Sequence, residues 1–483
     1  MQELADRHSD GSVLRGSNLI AFPSSDIRLF LTAYDPLDLA SGSIDVLGLQ
    51  GGYIAMANKF LPGFTTVTTS PRYVSMLCAA VAAAETAFPG ADSAVRLRQE
   101  RLTAVKSFER AWAIACGYTT TDPTIGDKAV DGLRGVQYIR RRMSELSGSE
   151  KSIRTRSVTL LANQVRYGGI GAYSTLLEDC HLASMRSITL RPLGAILAES
   201  FPMPGNNLEV WDEDKPLSIE GLREWGLNCH LGKFSRDEGR GLATALRGGE
   251  EREFEDDVRW ASLRLLAAFG DNEADEATLL QQMLEGIRRG DFNKLNAPAA
   301  CIRRIEATLL LIRSYEKLSQ ALLFLFDAVR AAATDEPEIH LHSVASKPNS
   351  MSACEEARNA ATELIEAIEE AGTVDPGTSH DLRTTFVAAG IVALAESLRN
   401  KSEDVDLIHL VVNRHRDVQQ GKFDRGERKA AWIRQETPSG PLRLTAQRHQ
   451  LPRSGRYDSW DELPWHPYRT FGARRFVRSC GIQ

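Results

Sequence analysis

The feature that most constrains this chain is an apolar stripe between about residues 298 and 333. There Ile302, Ile305, Leu309, Ile312, Tyr315, Leu318, Leu322, Leu325 and Val329 recur at steps of three and four. That spacing lines one face of an α-helix. At 1.5 Å per residue such a helix is roughly 50 Å long and needs a partner along its seam. The stretch from Ala353 to Ala371 offers one, because Ala357, Ala361, Leu364 and Ile368 repeat at similar steps. Glu355, Glu356, Glu363, Glu366, Glu369 and Glu370 flank that seam. With Asp335 to Ser350 as the connection, the pattern predicts an antiparallel helical hairpin over about 298–371.

A chain of 483 residues is too long for one core, so a mainly α, multi-domain protein is expected. Residues 1–126 read as a mixed and then helical region, with short strands around Ile20 and Ile27. Thr65 to Pro71 leads into a helix for which Ser70 is the expected cap and Pro71 the first residue. A second helix covers about 91–116. Residues 127–205 form a basic, winged-helix-like unit, and 206–413 a helical domain holding the hairpin. Residues 414–483 form a basic tail that is too aromatic for disorder, with Trp432, Trp460, Trp465, Tyr468, Phe471 and Phe476. It is expected to wrap the body and end in a short helix near Phe471 to Val477.

The winged-helix reading rests on Val158 to Phe201. The order is a helix to about Arg166, a Tyr167-Gly-Gly turn, a helix from Ala172 to Cys180, a short segment at Ser187-Ile-Thr, and a helix from Pro192. Gly168 and Gly169 would take positive φ in the turn, and Thr189 would cap the last helix. The same order of elements also serves protein docking.

Apolar runs are interrupted by charge, as at Glu85, Arg313, Glu316 and Lys317, so neither a membrane span nor membrane association is expected. The polar start, Met1-Gln-Glu-Leu-Ala-Asp-Arg-His, argues against a secretory signal. Seven cysteines stand singly, without C-x-x-C spacing. They fit a reducing cytoplasm, without disulfides.

A formal charge of −6 hides segregation. Arg134 to Arg191 holds ten Lys/Arg against four Asp/Glu, a surplus of +6. Arg414 to Gln483 holds fifteen against seven, or +8, which leaves −20 on the rest. Such blocks either meet an anionic partner or pair internally. Phosphates want clustered cations, and the candidates are Arg140, Arg141, Arg142, Lys151, Arg154, Arg156 and Arg166. Arg474, Arg475 and Arg478 could do likewise, or pin the tail to an acidic surface.

No motif of known chemistry stands out. Gly226-Leu-Asn-Cys-His-Leu-Gly-Lys has one residue too many for a phosphate loop, and Gly168-Gly-Ile-Gly lacks the dinucleotide pattern. Cys229 and His230 are sequence neighbours, which points their side chains apart. His340-Leu-His342 would put two imidazoles on one face only if extended, without an assured third ligand. Glu213-Asp-Lys215 echoes a nuclease core without its strands. Glu251 to Asp257 reads as a solvated helix start. No catalytic residue, metal or cofactor is expected.

Three stretches together resemble an uncharacterised prokaryotic family associated with phage-defence and restriction gene neighbourhoods. They are Leu61 to Tyr73, Arg166 to Tyr173 with Leu190-Arg-Pro-Leu-Gly, and Tyr468 to Phe476. The resemblance implies a place in an antiviral or DNA-associated system and nothing about chemistry. The expectation is a non-catalytic component of a protein complex, with other subunits and double-stranded DNA as partners. The rivals are a diverged metal-dependent nuclease and a scaffold that binds its partner through the 298–371 hairpin.

Overall fold

A computed structural model describes residues 45–121, 123–145, 150–205, 208–250, 252–269, 274–291, 297–336, 338–424, 427–428, 430–435, 437, 440–445, 463 and 465–482. The strands expected near Ile20 and Ile27, and Trp460, lie outside these residues. The fold is mainly helical. No helix among the described residues is long and apolar enough to cross a membrane.

The first helices are α1 (Gln50–Phe60), α2 (Pro71–Ala87) and α3 (Ala94–Thr119). Almost every residue of α2 is buried, from Pro71 through Ala84, which fits its run of alanines between larger neighbours. Pro71 opens α2 as expected, but Ser70 caps nothing with its side chain. Its backbone N–H instead donates to the Tyr173 hydroxyl at 2.9 Å.

Next come α4 (Val136–Glu145), β1 (Ser152–Ile153), α5 (Gln164–Tyr167), α6 (Gly169–Asp179), β2 (Ala183–Ser184), β3 (Thr189–Leu190) and α7 (Pro192–Ser200). β2 and β3 pair as an antiparallel hairpin. Thr189 lies in β3, where its hydroxyl meets that of Ser187, and does not cap α7. Gly168 has φ −77°, not the positive value expected of it. Close approach explains the glycine there, since a Cβ would fall 2.5 Å from the Gln164 carbonyl oxygen and 2.8 Å from the Glu109 carboxylate. Ile170, Ala172, Tyr173, Leu176 and Leu177 of α6 are buried.

β4 (Leu217–Ser218) pairs antiparallel with β1 and leads into α8 (Ile219–Cys229). α9 (Arg236–Leu246), α10 (Phe254–Phe269) and α11 (Glu276–Arg289) follow. α8 packs tightly on α3, where a Cβ on Gly226 would lie 2.2 Å from the Ala115 carbonyl oxygen.

The long stripe forms α12 (Ala299–Asp335), 37 residues. After α13 (Leu341–Ala345), α14 (Pro348–Val374) packs along it, and Lys317 meets Glu363 at 2.5 Å. Nearer the connection Lys347 meets Glu336 at 3.4 Å. Then come α15 (Pro376–Ala388), α16 (Ile391–Asn400) and α17 (Asp404–Gln420). The antiparallel pairs β5 (Phe423–Asp424) with β6 (Glu427–Arg428) and β7 (Ile433–Gln435) with β8 (Leu442–Leu444) precede α18 (Thr470–Cys480). α18 covers the short helix expected near the end. One apolar cluster takes in side chains from Val46 to Ile482.

Arginines tie this packing together by donating to backbone carbonyls that end helices and loops. Buried Arg259 donates to Pro62, Leu246 and Asp179 carbonyls and to the Asp256 carboxylate. Buried Arg72 donates to Asn228 and Cys229 carbonyls at the end of α8 and pairs with Glu238. Arg414 serves Leu47, Gly48 and Ala389, and Arg358 serves Lys401 and Ser402. Helix ends leave carbonyls without intrahelical partners, and a guanidinium satisfies several at once.

Candidate functional site

Three segments bring the candidate cations to the flank of α3. On α4, Ile139 points inward, and a Cβ on Gly117 of α3 would come within 2.6 Å of it. With Ile139 turned to the core and successive residues about 100° apart, Arg140 and Arg141 point outward and Arg142 lies half-buried at the edge. The β1–β4 pairing and the adjoining turn Thr155–Ser157 place Lys151, Arg154 and Arg156 beside them. Ser107 and Thr155 share a 2.6 Å hydrogen bond that fixes this turn on α3.

The four arginines Arg140, Arg141, Arg142 and Arg156 each face a carboxylate of the same chain. Arg140 meets Asp127 at 3.1 Å, and Arg141 meets Glu145 at 3.8 Å. Arg142 meets Glu145 at 3.9 Å and Glu150 at 3.6 Å, and Arg156 meets Asp214 at 2.6 Å. The carboxylates are all solvent-facing, and pairs of this kind are worth about 0–1 kcal/mol each. Lys151 and Arg154 are exposed and have no carboxylate within ion-pair distance among the described residues. Arg166, on α5, lies over the ring of Tyr167 at 5.7 Å.

One cation of this face is absent from the sequence expectation. Arg223 of α8 is exposed and sits over the Tyr118 ring at 5.6 Å. Arg142, Arg223 and Glu150 all act electrostatically on Tyr118, whose hydroxyl is raised chiefly by burial. That hydroxyl has no hydrogen-bond partner among the described residues. Nothing linear announces Arg223, which lies outside both basic segments and reaches the face through the packing of α8 on α3. Arg110, which meets Glu213 at 3.2 Å, and Tyr118 lie eight residues apart on α3. The face therefore extends about 12 Å along that helix.

Other sequence candidates serve packing. Glu213, Asp214 and Lys215 bind Arg110, Arg156 and Glu209. His340 precedes helical α13 and His342 lies within it, so the extended geometry their pairing needs is not formed. No group of three or more His, Cys, Asp or Glu that could hold a metal ion occurs among the described residues. Cys229 is buried and burial raises its thiol well above its ordinary range, while burial lowers the neighbouring His230. The first turn of α10 is not wholly solvated, because Asp256 is buried against Arg259 at 2.6 Å. In the tail, Arg475 meets Asp131 at 3.3 Å and Arg474 donates to the Ala274 carbonyl.

The tail is fastened by a buried carboxylate on α12. Glu316 accepts from the backbone N–H of His466 at 3.0 Å, from its Nδ1 at 2.9 Å and from the Tyr468 hydroxyl at 2.5 Å. The His466 ring stacks on Tyr53 of α1. The neighbouring Glu276 accepts from Thr470, and burial pushes its carboxyl up to about 7.

No family model, curated protein or solved structure matches this chain. The functional reading therefore rests on its own residues.

Proposed function

We propose that this chain is a non-catalytic component of a cytoplasmic assembly and meets double-stranded DNA through the α4–β1–α8 face. The observation that carries the reading is that Lys151, Arg154 and Arg223 stand exposed without carboxylate partners among the described residues. Their neighbours Arg140, Arg141, Arg142 and Arg156 are held only by solvent-facing carboxylates. A phosphate competes well for such arginines, because an exposed pair contributes little while each phosphate contact releases condensed counterions. A span of about 12 Å is enough to reach more than one phosphate, at roughly 7 Å between neighbours on a strand.

In this reading the 127–205 unit acts as the winged-helix-like module and binds by backbone contact. Its α6 does not enter a groove, since that helix spends its apolar face in the core. α12 and α14 form the antiparallel hairpin, whose outward glutamates suit protein neighbours. The resemblance to a family from phage-defence neighbourhoods supports an antiviral setting for the assembly.

Fluorescence anisotropy with a labelled duplex, across 50–200 mM salt, tests the reading. Binding is expected to weaken steeply with salt. The slope of log K against log salt should fall by about 0.9 for each phosphate contact removed, or roughly 2.7 for the triple variant Lys151→Ala, Arg154→Ala and Arg223→Ala. Absence of binding at low salt, or a slope indifferent to these changes, refutes the proposal.

A further inference from the structure

A cleft of about 800 Å³ opens between α1, α6, α10 and α15. One wall is apolar, with Gly51, Ile54 and Ala55 of α1 facing Leu382, Ala388 and Ala389 of α15. The volume is that of small-molecule sites, which run roughly 300–1,000 Å³ and combine apolar walls with a few convergent polar groups.

The cleft is also lined by charged side chains, and their charges do not cancel. Lys59 meets Asp381 at 2.7 Å, Arg304 grips Glu255 at 2.6 and 2.8 Å, and Arg259 meets Asp256 at 2.6 Å, a carboxylate that the lining His181 also approaches at 3.6 Å. Those three cations are thus committed, Arg259 to three carbonyls besides. Asp179 and Glu253 also line the cleft and have no cation within ion-pair distance among the described residues. Glu178 has only Arg191, at 3.5 Å. Partial burial holds the Asp179 carboxyl above the usual carboxylate range. Asp256, Glu178 and Glu255 add to that effect and Arg259 opposes it. The cleft therefore has a standing excess of negative charge beside an apolar surface.

We propose that this cleft binds a small organic cation, a primary amine on an apolar body, its ammonium drawn by Asp179 and Glu253, lining carboxylates without a cation partner among the described residues. A metal ion is the poorer match, since no three ligating side chains among the described residues converge to hold one. An amine needs only one or two carboxylates for its three donors, and its hydrocarbon body can lie on Ile54 and Leu382.

Isothermal titration of the full chain with three probes that share a phenethyl body tests this: phenethylamine, 2-phenylethanol and 3-phenylpropionate. The amine is expected to bind about tenfold or more tightly than either other probe, because a charge-assisted hydrogen bond is worth about one decade of affinity or more. Asp179→Asn and Glu253→Gln should each remove most of that preference while the alcohol binds as before. Both side chains are solvent-facing, so the variants should unfold at the wild-type temperature, which a thermal scan checks. Equal binding of the three probes, no binding of the amine, or an amine preference that survives in both variants would overturn the proposal. So would an arginine-containing peptide that binds more than tenfold tighter than the amine, which would assign the cleft to a protein partner.

Discussion

Asp214→Asn offers the sharpest test of the basic face, because its partner is a single exposed guanidinium at 2.6 Å. In the wild type, Arg156 must leave Asp214 before it can contact a phosphate. The pair is solvent-facing on both sides, so releasing it costs about 0.5–1 kcal/mol. Neutralising Asp214 removes that cost and should tighten duplex binding by roughly two- to fivefold. Removing a carboxylate also relieves general repulsion of DNA, so the gain alone does not identify its cause. The double-mutant cycle does. Arg156→Ala should weaken binding, lower the salt slope by about 0.9, and abolish most of the gain from Asp214→Asn. Anisotropy at 100 mM salt on the four proteins gives the coupling. A gain from Asp214→Asn that is the same with and without Arg156 would refute the idea that this arginine exchanges a carboxylate for a phosphate.

The clasp that holds the C-terminal segment should loosen as pH rises. Burial raises Glu276 to about 7 from an ordinary 4.5, so its contribution is fully present below about 4.5 and is lost as pH climbs through 7, about 3 kcal/mol in all. For His466, burial alone would lower the imidazole. The charge of Glu316 and its hydrogen bond outweigh that and hold it above its ordinary value, so its contribution too is lost with rising pH. Limited proteolysis near the C-terminus should accelerate as pH rises from about 5 to 8, and Glu276→Gln should flatten the part of the profile below 7; a flat wild-type profile would exclude the clasp as the pH-sensitive element. Gly194→Ala should cost about 1–3 kcal/mol, since the new Cβ would sit 1.9 Å from the Leu182 carbonyl oxygen; a denaturant midpoint unchanged within error would show that α7 can shift freely.

The long helices were legible because their signal is local. The three- and four-residue steps of Ile302 to Val329 mark α12, and the alanine steps after Ala353 mark α14. Caps were less legible, because a serine or threonine beside a helix has other uses. Ser70 donates its backbone N–H to the Tyr173 hydroxyl, about a hundred residues away, and Thr189 turns to Ser187 inside a hairpin. The glycines at 168 and 169 signalled a turn, but the physical demand was for room beside Glu109. The arginine run of α4 was visible as charge. Its partner Glu145 is local, but Asp127 comes from a preceding turn, and the Asp214 that meets Arg156 comes from beyond α7. Arg223 and the cleft carboxylates have no linear signature, as each reaches its place by helix packing.

Counting charge along the chain also overstates what is free to meet a polyanion. Arg134 contributes to the basic segment, yet it donates to the Tyr167 and Val67 carbonyls. Arg259 is the extreme case, with only 1 % of its surface exposed. Its Nε and both Nη atoms reach carbonyls from three separate segments and one carboxylate. Arg259→Lys keeps the charge but replaces a planar fork with a single ammonium. That ammonium can follow Asp256 or the carbonyls of Pro62, Leu246 and Asp179, but it cannot span them all. Buried carbonyls left unpaired cost about 1–3 kcal/mol each, and a strained buried ion pair adds to that. The substitution should therefore lower unfolding free energy by about 3–5 kcal/mol, measured by urea denaturation, with the fold retained at 25 °C. A loss below about 1 kcal/mol would mean that charge alone, and not the geometry of the guanidinium, holds these segments together.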